Sequence, residues 1–354
     1  MSSDTPIRNA ETYCKKGIFT MKYLRIPALC LALCFLVSTF CGCESRPIKS
    51  TDEEMQVVGQ VGAYDIYYEE LRYLTLKFRD SMATTYGEDI WTDPAKAEQY
   101  RDELTQNVYH ALTANIAVRS LCAEVLIDYT DDAIQKAVQK DVDATVEEFG
   151  SKSAYREGLA GEYMTDNFYR YSLAIGYCES ELLYAYTDDL GIIADTNEEL
   201  YSIIMSDEFA RTLHVFISND AGDDIEANRT LAEKVLNEYR SGTAFNTLIG
   251  RYSEDFYMTT TNGYYFTHGE MQQNYEDAAF ALAEDEVSDV VETPSGFYII
   301  HRLPKDAQYV LSHLDELSRQ YQYAVLYNLI DERRAELTFA PNELCLGLDL
   351  VTLP

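Results

Sequence analysis

The stretch ETPSGFYIIH, residues 292–301, reads as a turn that feeds a buried strand. Gly296 has access to backbone conformations that a Cβ closes to other residues. Phe297 to Ile300 then supplies aromatic and β-branched side chains, which suit a pleated, half-buried surface. Tyr298 sits inside that run with a polar tip. It is either an ordinary strand residue or part of a cleft, and the chain around it has to separate the two.

Working outward, Arg211 to Ile217 (RTLHVFI) is strand-like, and Asp223 to Tyr239 has the apolar spacing of an amphipathic helix. Phe245 to Tyr252 reads as a short helix, Tyr264 to Phe266 as extended chain, Tyr275 to Leu282 as a helix and Phe297 to Arg302 as the closing strand. That β-α-α-β-α-β order spans about a hundred residues, the size of one compact α/β domain.

Both flanks are helical. Leu71, Leu74 and Phe78 recur at three- and four-residue steps after two short strands within Val57 to Tyr67. Asp93-Pro94 opens a helix predicted to reach about Tyr129, with the aspartate as cap and the proline in the first turn. Thr130 opens another run to about Phe149, and a further helix covers about Thr165 to Tyr186. Thr196-Asn-Glu-Glu199 is a capping box that starts a short helix. Beyond the α/β domain, Gln308 to Leu337 carries an apolar stripe of Val310, Leu314, Leu317, Tyr321, Val325 and Ile330. Leu344 to Leu353 alternates as a strand would. The simplest architecture is an α+β chain in which the α/β domain is inserted in a helical domain built from both chain ends.

Three segments of the inserted domain resemble the parvulin-type peptidyl-prolyl isomerases. They are RTLHVFI, then GTAFNTLIGRYSED, then GEMQQNYEDAAFALAEDEVSDVVETPSGFYII, in the family's order and spacing over about 208–303. The helical flanks resemble SurA-like chaperones and PrsA-type foldase lipoproteins. The resemblance implies His214, Asp255 and Tyr298 as catalytic residues, with Tyr298 where many parvulins carry a second histidine. It implies Met271, Tyr275 and Phe280 as the wall of a proline pocket, and Thr293 with Ser295 as the polar pair before the last strand. Tyr275 stands where the family has a phenylalanine. Asn262-Gly-Tyr-Tyr-Phe266 replaces the family's Gly-Gly-x-Leu-Gly, so Tyr264 or Tyr265 is expected to fill the leucine's place.

The expected domains are 1–42 as a signal sequence, 43–55 as a tether, 56–205 as helical chaperone domain, 206–305 as parvulin-like domain, and 306–354 as a helix and tail packing on the helical domain. Lys22 and Arg25 precede an apolar run from Ile26 to Phe40, a charged segment and a short h-region. Gly42-Cys43 after it resembles a bacterial lipoprotein signal, in which Cys43 is lipidated and becomes the new N-terminus. The expected location is therefore extracytoplasmic, anchored to the bacterial cell membrane.

Composition narrows the partners. The 354 residues carry a net charge of −32, so nucleic acid is excluded as a partner by repulsion of its phosphates. Without residues 1–42 the cysteines are Cys43, Cys122, Cys178 and Cys345, with neither disulfide nor zinc spacing. No Gly-x-Ser-x-Gly, His-Glu-x-x-His or phosphate loop is present, and neither cofactor nor metal is called for. The resemblance implies unfolded or proline-containing secreted polypeptides as partners. Two functions follow from it: an isomerase that assists folding, or a catalytically weak parvulin-fold chaperone that only binds unfolded chains.

Overall fold

The computed structural model describes residues 55–219, 224–258 and 262–354. The expected signal segment and Cys43 lie outside the described residues. The chain divides into two compact units, residues 55–185 with 329–354, and residues 186–328.

The first unit begins with β1 (Val57–Val61) and β2 (Tyr64–Tyr67), an antiparallel pair. α1 (Tyr68–Tyr86) follows at once and buries Leu71, Phe78 and Met82, the face its apolar spacing sets. α2 (Pro94–Ala111) has Asp93 as its cap, accepting from Ala95 N at 2.8 Å. It does not run on to Tyr129. The Thr113 hydroxyl donates to the His110 carbonyl at 2.6 Å, a local bond that competes with the helix ladder, and the chain restarts as α3 (Ala114–Glu124). α4 (Asp132–Glu148), the unpredicted α5 (Lys152–Gly161, capped by Ser151) and α6 (Asp166–Tyr184, capped by Thr165) complete this part. α6 packs on α3 and α4.

The second unit opens with a π turn through Asp189 and then α7 (Asn197–Met205), where the Thr196 hydroxyl accepts from Glu199 N as the capping box predicts. Next come β3 (Phe209–Ser218), α8 (Ile225–Arg240), α9 (Phe245–Tyr252), β4 (Tyr264–Thr267), α10 (Gln273–Ala281), β5 (Val291–Thr293) and β6 (Gly296–Arg302). The strands form one antiparallel sheet in the order β4-β3-β6-β5. Side chains alternate between its faces. Leu213, Val215, Ile217, Phe297 and Ile299 pack under α8 and α9. Ala210, Tyr298 and Ile300 face the other way, with Tyr275 and Ala279 of α10. Phe297 is fully buried, a contribution of about 2–3 kcal/mol from removing its ring from water. Gly296, at the head of β6, has φ +145°, and a Cβ there would collide with the Ile217 carbonyl oxygen of the paired strand.

α11 (Ala307–Ser312) and α12 (Leu314–Ala335) follow. The expectation placed all of 306–354, and with it this apolar stripe, on the helical domain. Instead Val310 and Leu317, with Leu314 and Tyr321, pack against Ile204, Phe209 and Tyr265 of the second unit. The reason is that β3 and β4 have a second apolar patch, made by Phe209 and Tyr265, which needs cover. For the same reason 186–205 belongs with the second unit and not with 56–185. Only the last turns of α12 and the tail return to the first unit, where β7 (Phe339–Pro341) joins β1 to give the order β2-β1-β7. The tail after it is not a strand. The Asn342 side chain caps Cys345 N at 3.0 Å and starts the short α13 (Glu343–Leu346), after which Leu350, Val351 and Leu353 are buried through turns.

Candidate active site

The site grows from the even-numbered residues of β3. Thr212 and His214 are two apart, so they share the face that looks toward α10, and both are buried, His214 at 2 % exposure. Asp255 comes from the loop after α9. That loop is tied to the end of β3: Phe216 N donates to the Ser253 hydroxyl at 3.2 Å, Glu254 N to the Phe216 carbonyl at 2.9 Å, and Ser218 N to the Glu254 carboxylate at 2.5 Å. Tyr257 N then donates to Asp255 Oδ1 at 2.9 Å, so the aspartate is oriented by its own turn.

His214 Nε2 lies 3.0 Å from Asp255 Oδ2, and His214 Nδ1 lies 3.0 Å from the Tyr275 hydroxyl. Tyr264, at the start of β4 and opposite Thr212 in register, donates its hydroxyl to the same Asp255 Oδ2 at 3.0 Å. The Tyr275 hydroxyl is also 2.8 Å from Thr212 Oγ1. Burial lowers the His214 pKa and outweighs the opposing pull of Asp255, so the ring is neutral. Burial pushes the Asp255 carboxyl up, but the bonds from His214, Tyr257 N and Tyr264 outweigh it and leave the group below its ordinary value.

Those two states fix the protons. An ionised carboxylate only accepts, so His214 carries its proton on Nε2 and donates it to Asp255. Nδ1 is then an acceptor, and the Tyr275 hydroxyl must donate to it. The Thr212 hydroxyl is left to donate to Tyr275. The chain Thr212 to Tyr275 to His214 to Asp255 therefore has a single direction, with Tyr264 as a second donor at its end. The carboxylate side chain that collects these bonds is 18 % exposed, whereas that of His214 is 3 % exposed.

Tyr298, which the resemblance sets among the catalytic residues, stands beside this network. Both ring nitrogens of His214 already have a partner, and those partners are Tyr275 and Asp255. Tyr298 meets the histidine edge-on, with ring centroids 5.1 Å apart at 90°, and stacks on Phe216 at 4.5 Å. Its hydroxyl is 3.4 Å from Ser295 Oγ. That serine belongs to a second polar cluster. Thr293 Oγ1 is 2.9 Å from Ser295 Oγ and donates to the Gly296 carbonyl, and Ser295 Oγ donates to Gln272 Oε1 at 3.2 Å. The Tyr298 ring thus lies between the two clusters. Phe297 and Ile299 are on the opposite face, as a period of two requires.

Met271 lies in the turn before α10, half-buried against the apolar cluster of Phe266, Tyr275 and Ile300, and Phe280 packs on the same cluster. Phe280 also stacks on His268 at 3.9 Å, so it is shared with the loop that leads to Met271. Of the two candidates for the missing leucine, Tyr264 turns to the site. Tyr265 turns to the opposite face and stacks on Tyr309. Thr212 and the hydroxyl of Tyr275 were not singled out from the sequence. The two-residue spacing of Thr212 from His214 was the available signal for the first. Among the described residues no group of three potential metal ligands occurs.

The Tyr275 hydroxyl yields a testable result. Tyr275→Phe removes the donor to a buried ring nitrogen and the acceptor of a buried threonine. It is expected to lower the unfolding free energy by about 2 kcal/mol, the cost of buried polar atoms left unpaired. Adding Thr212→Val should cost little more, because one of the orphans is then removed. Urea unfolding of the two variants checks this, and additive losses would contradict the shared bond.

Residues 214–303 match the family model described as rotamase, PPIC-type PPIase domain. The foldase protein PrsA of Caldanaerobacter subterraneus is 26 % identical over 279 residues, 77 % of this chain and 80 % of that one. The foldase protein PrsA 1 of Bacillus cereus is 42 % identical over 71 residues, 20 % of this chain and 25 % of that one. Among solved structures, the peptidylprolyl isomerase PrsA of Bacillus anthracis is similar with a TM-score of 0.36 and 16 % identity, covering 64 % of this chain and 96 % of that one.

Proposed function

We propose that this chain, a parvulin-type peptidyl-prolyl cis-trans isomerase of the PrsA/SurA-like foldase kind, works outside the cytoplasm, held to the bacterial cell membrane through a lipidated Cys43, on proline-containing stretches of unfolded secreted polypeptides. The observation that carries the site assignment is the directed chain of hydrogen bonds ending on a partly exposed Asp255. The relatives named as foldases support the folding role.

Prolyl isomerisation has a barrier of ~20 kcal/mol and makes or breaks no covalent bond. In the transition state the amide is twisted and its resonance is lost. An apolar wall that holds the proline ring favours that less polar form, and Met271 and Phe280, with the ring face of Tyr275, have the chemistry for it. His214 is a positioning residue in this reading. It is buried and saturated, and it fixes Asp255 at the rim. Asp255 presents a fixed negative charge beside the rotating amide, and pre-organised charge of this kind needs no reorganisation during the reaction. Thr293 and Ser295, through Gln272 and Tyr298, hold the opposite wall.

A second reading is a cleft that binds prolyl segments with negligible turnover, favoured by the tyrosine at 298 where the family has a histidine. A protease-coupled isomerisation assay over tetrapeptides that vary the residue before proline separates the two. Accelerated isomerisation is expected, and peptide binding without acceleration would decide for the second reading. The anchoring is tested apart from the chemistry. Cys43→Ser is expected to leave the precursor uncleaved or to release the protein from the membrane fraction, and unchanged processing with unchanged retention would refute the anchor. Among the described residues no helix is long and apolar enough to cross a membrane.

A further inference from the structure

The first unit contains a cavity of about 280 Å³, lined by Tyr64, Arg119, Cys122, Ile127, Tyr129 and Cys178. It belongs to the first unit, whereas the isomerase site belongs to the second. Its one basic group is Arg119, whose guanidinium lies 4.4 Å over the ring of Tyr64, 4.7 Å over that of Tyr129 and 5.9 Å from that of Tyr171. Three aromatic faces hold the cation in place and dry it. Among the described residues no carboxylate stands within ion-pairing distance of it. That is notable in a chain with 60 acidic and 28 basic residues.

Two acids act on it through space, Asp128 and Glu70. Asp128, at the cavity mouth, has its Oδ1 taken by the backbone N–H and hydroxyl of Thr130. Glu70 is buried and accepts from Asn115 at 3.1 Å. Burial pushes its pKa up to about 7, so near neutrality it is only partly charged. An arginine has five donors in a planar fork that matches a carboxylate, and the groups this one meets are the Tyr171 phenol and the aromatic faces of Tyr64 and Tyr129. Beside Asp128 and the two tyrosines the lining is soft or apolar, with Cys122, Cys178, Ala123, Leu126 and Ile127. Leu126 stands at the rim 92 % exposed, held there by a positive φ of 60° that a leucine seldom adopts.

We infer that this cavity is a binding site for a carboxylate carried on a small apolar body, with Arg119 as the anion receptor and Leu126, Ile127 and the two cysteines as the apolar surround. Two sources share that chemistry: the C-terminal residue of a polypeptide, and a free apolar carboxylic acid.

The test is calorimetric titration of the intact protein with 3-phenylpropionate and its amide, and with the tripeptide Gly-Gly-Phe as free acid and as amide. The acid forms are expected to bind about tenfold more tightly than the amides, the gain of one charge-assisted contact. Arg119→Gln should abolish that preference and Arg119→Lys should keep part of it. Ala123→Trp, which fills the cavity from its exposed edge, should block every ligand while leaving isomerase activity unchanged. Binding of both acids supports a chain end as the ligand, and binding of phenylpropionate alone supports a free acid. Equal binding of acid and amide, absence of binding by either, or a preference that survives Arg119→Gln would overturn the inference. The acid-to-amide comparison on the unaltered protein decides even where a variant does not fold.

Discussion

Asp255→Ala is expected to lower kcat/KM for prolyl peptides by about 100-fold, which is close to 3 kcal/mol of transition-state stabilisation. Asp255 Oδ2 receives the Nε2 proton of His214 and the hydroxyl proton of Tyr264, and Oδ1 receives Tyr257 N. Alanine leaves the first two donors without an acceptor and removes the fixed charge at the rim. Asp255→Asn should fall between the two, since its amide oxygen accepts from His214 but bears no charge. The effect also has a signature in pH. The folded-state pKa of His214 is lowered, so its contribution to stability is complete above its unfolded value of 6.5 and is lost as pH falls through the folded value. Asp255, also lowered, adds a contribution that is complete above 3.8 and fades at more acid pH. Removing Asp255 takes away the group that holds the His214 pKa up, so the variant's His214 resists protonation to still lower pH. An activity loss under tenfold, with the fold intact by urea titration, would assign Asp255 to the turn alone.

The second large effect concerns stability. Gly296→Ala is expected to destabilise the isomerase unit by about 4 kcal/mol or more, a size reserved for a named steric fault. The fault is double. The backbone there has φ +145°, and the added methyl would meet the Ile217 carbonyl oxygen, which is part of the paired strand and has no room to yield. A slip of β6 by one residue would relieve the clash, but it would turn Phe297 and Ile299 out of the core and Tyr298 into it. Thermal or urea unfolding measures the loss, and a change within about 1 kcal/mol would show that the strand start adapts.

Much of the fold was legible because short apolar strands and capped helices carry local signals. The capping box at Thr196, the Asp93-Pro94 start and the alternation of β6 each depend on neighbours in sequence, and each is found. What failed depended on distant partners. The stripe on 308–337 told that the helix is covered, but not by which surface, and Phe209 and Tyr265 supply much of it. Alternation in Leu344 to Leu353 looked like a strand because a helix cap and successive turns can bury residues at similar spacing. In the site, His214 and Asp255 are bonded to each other. The phenol on His214 Nδ1 belongs to Tyr275, whose hydroxyl was not singled out from the sequence. Residue types at single positions do not reveal that Tyr275, on a helix 61 residues away, occupies one of the two ring nitrogens of His214.

The pairing of β7 with β1 sets an order of events during synthesis. Gly59 meets Pro341 across the sheet, so the first unit cannot close its sheet until residue 341 has been delivered. The second unit is a continuous run of chain, 186–328, and has every one of its own strands well before then. Domains fold as their sequence becomes complete. The isomerase unit is therefore able to mature while the helices that precede it still wait for their closing strand. Once folded, it acts as a compact spacer, and it removes most of the flexible length over which the two ends of the sheet would otherwise have to search for each other.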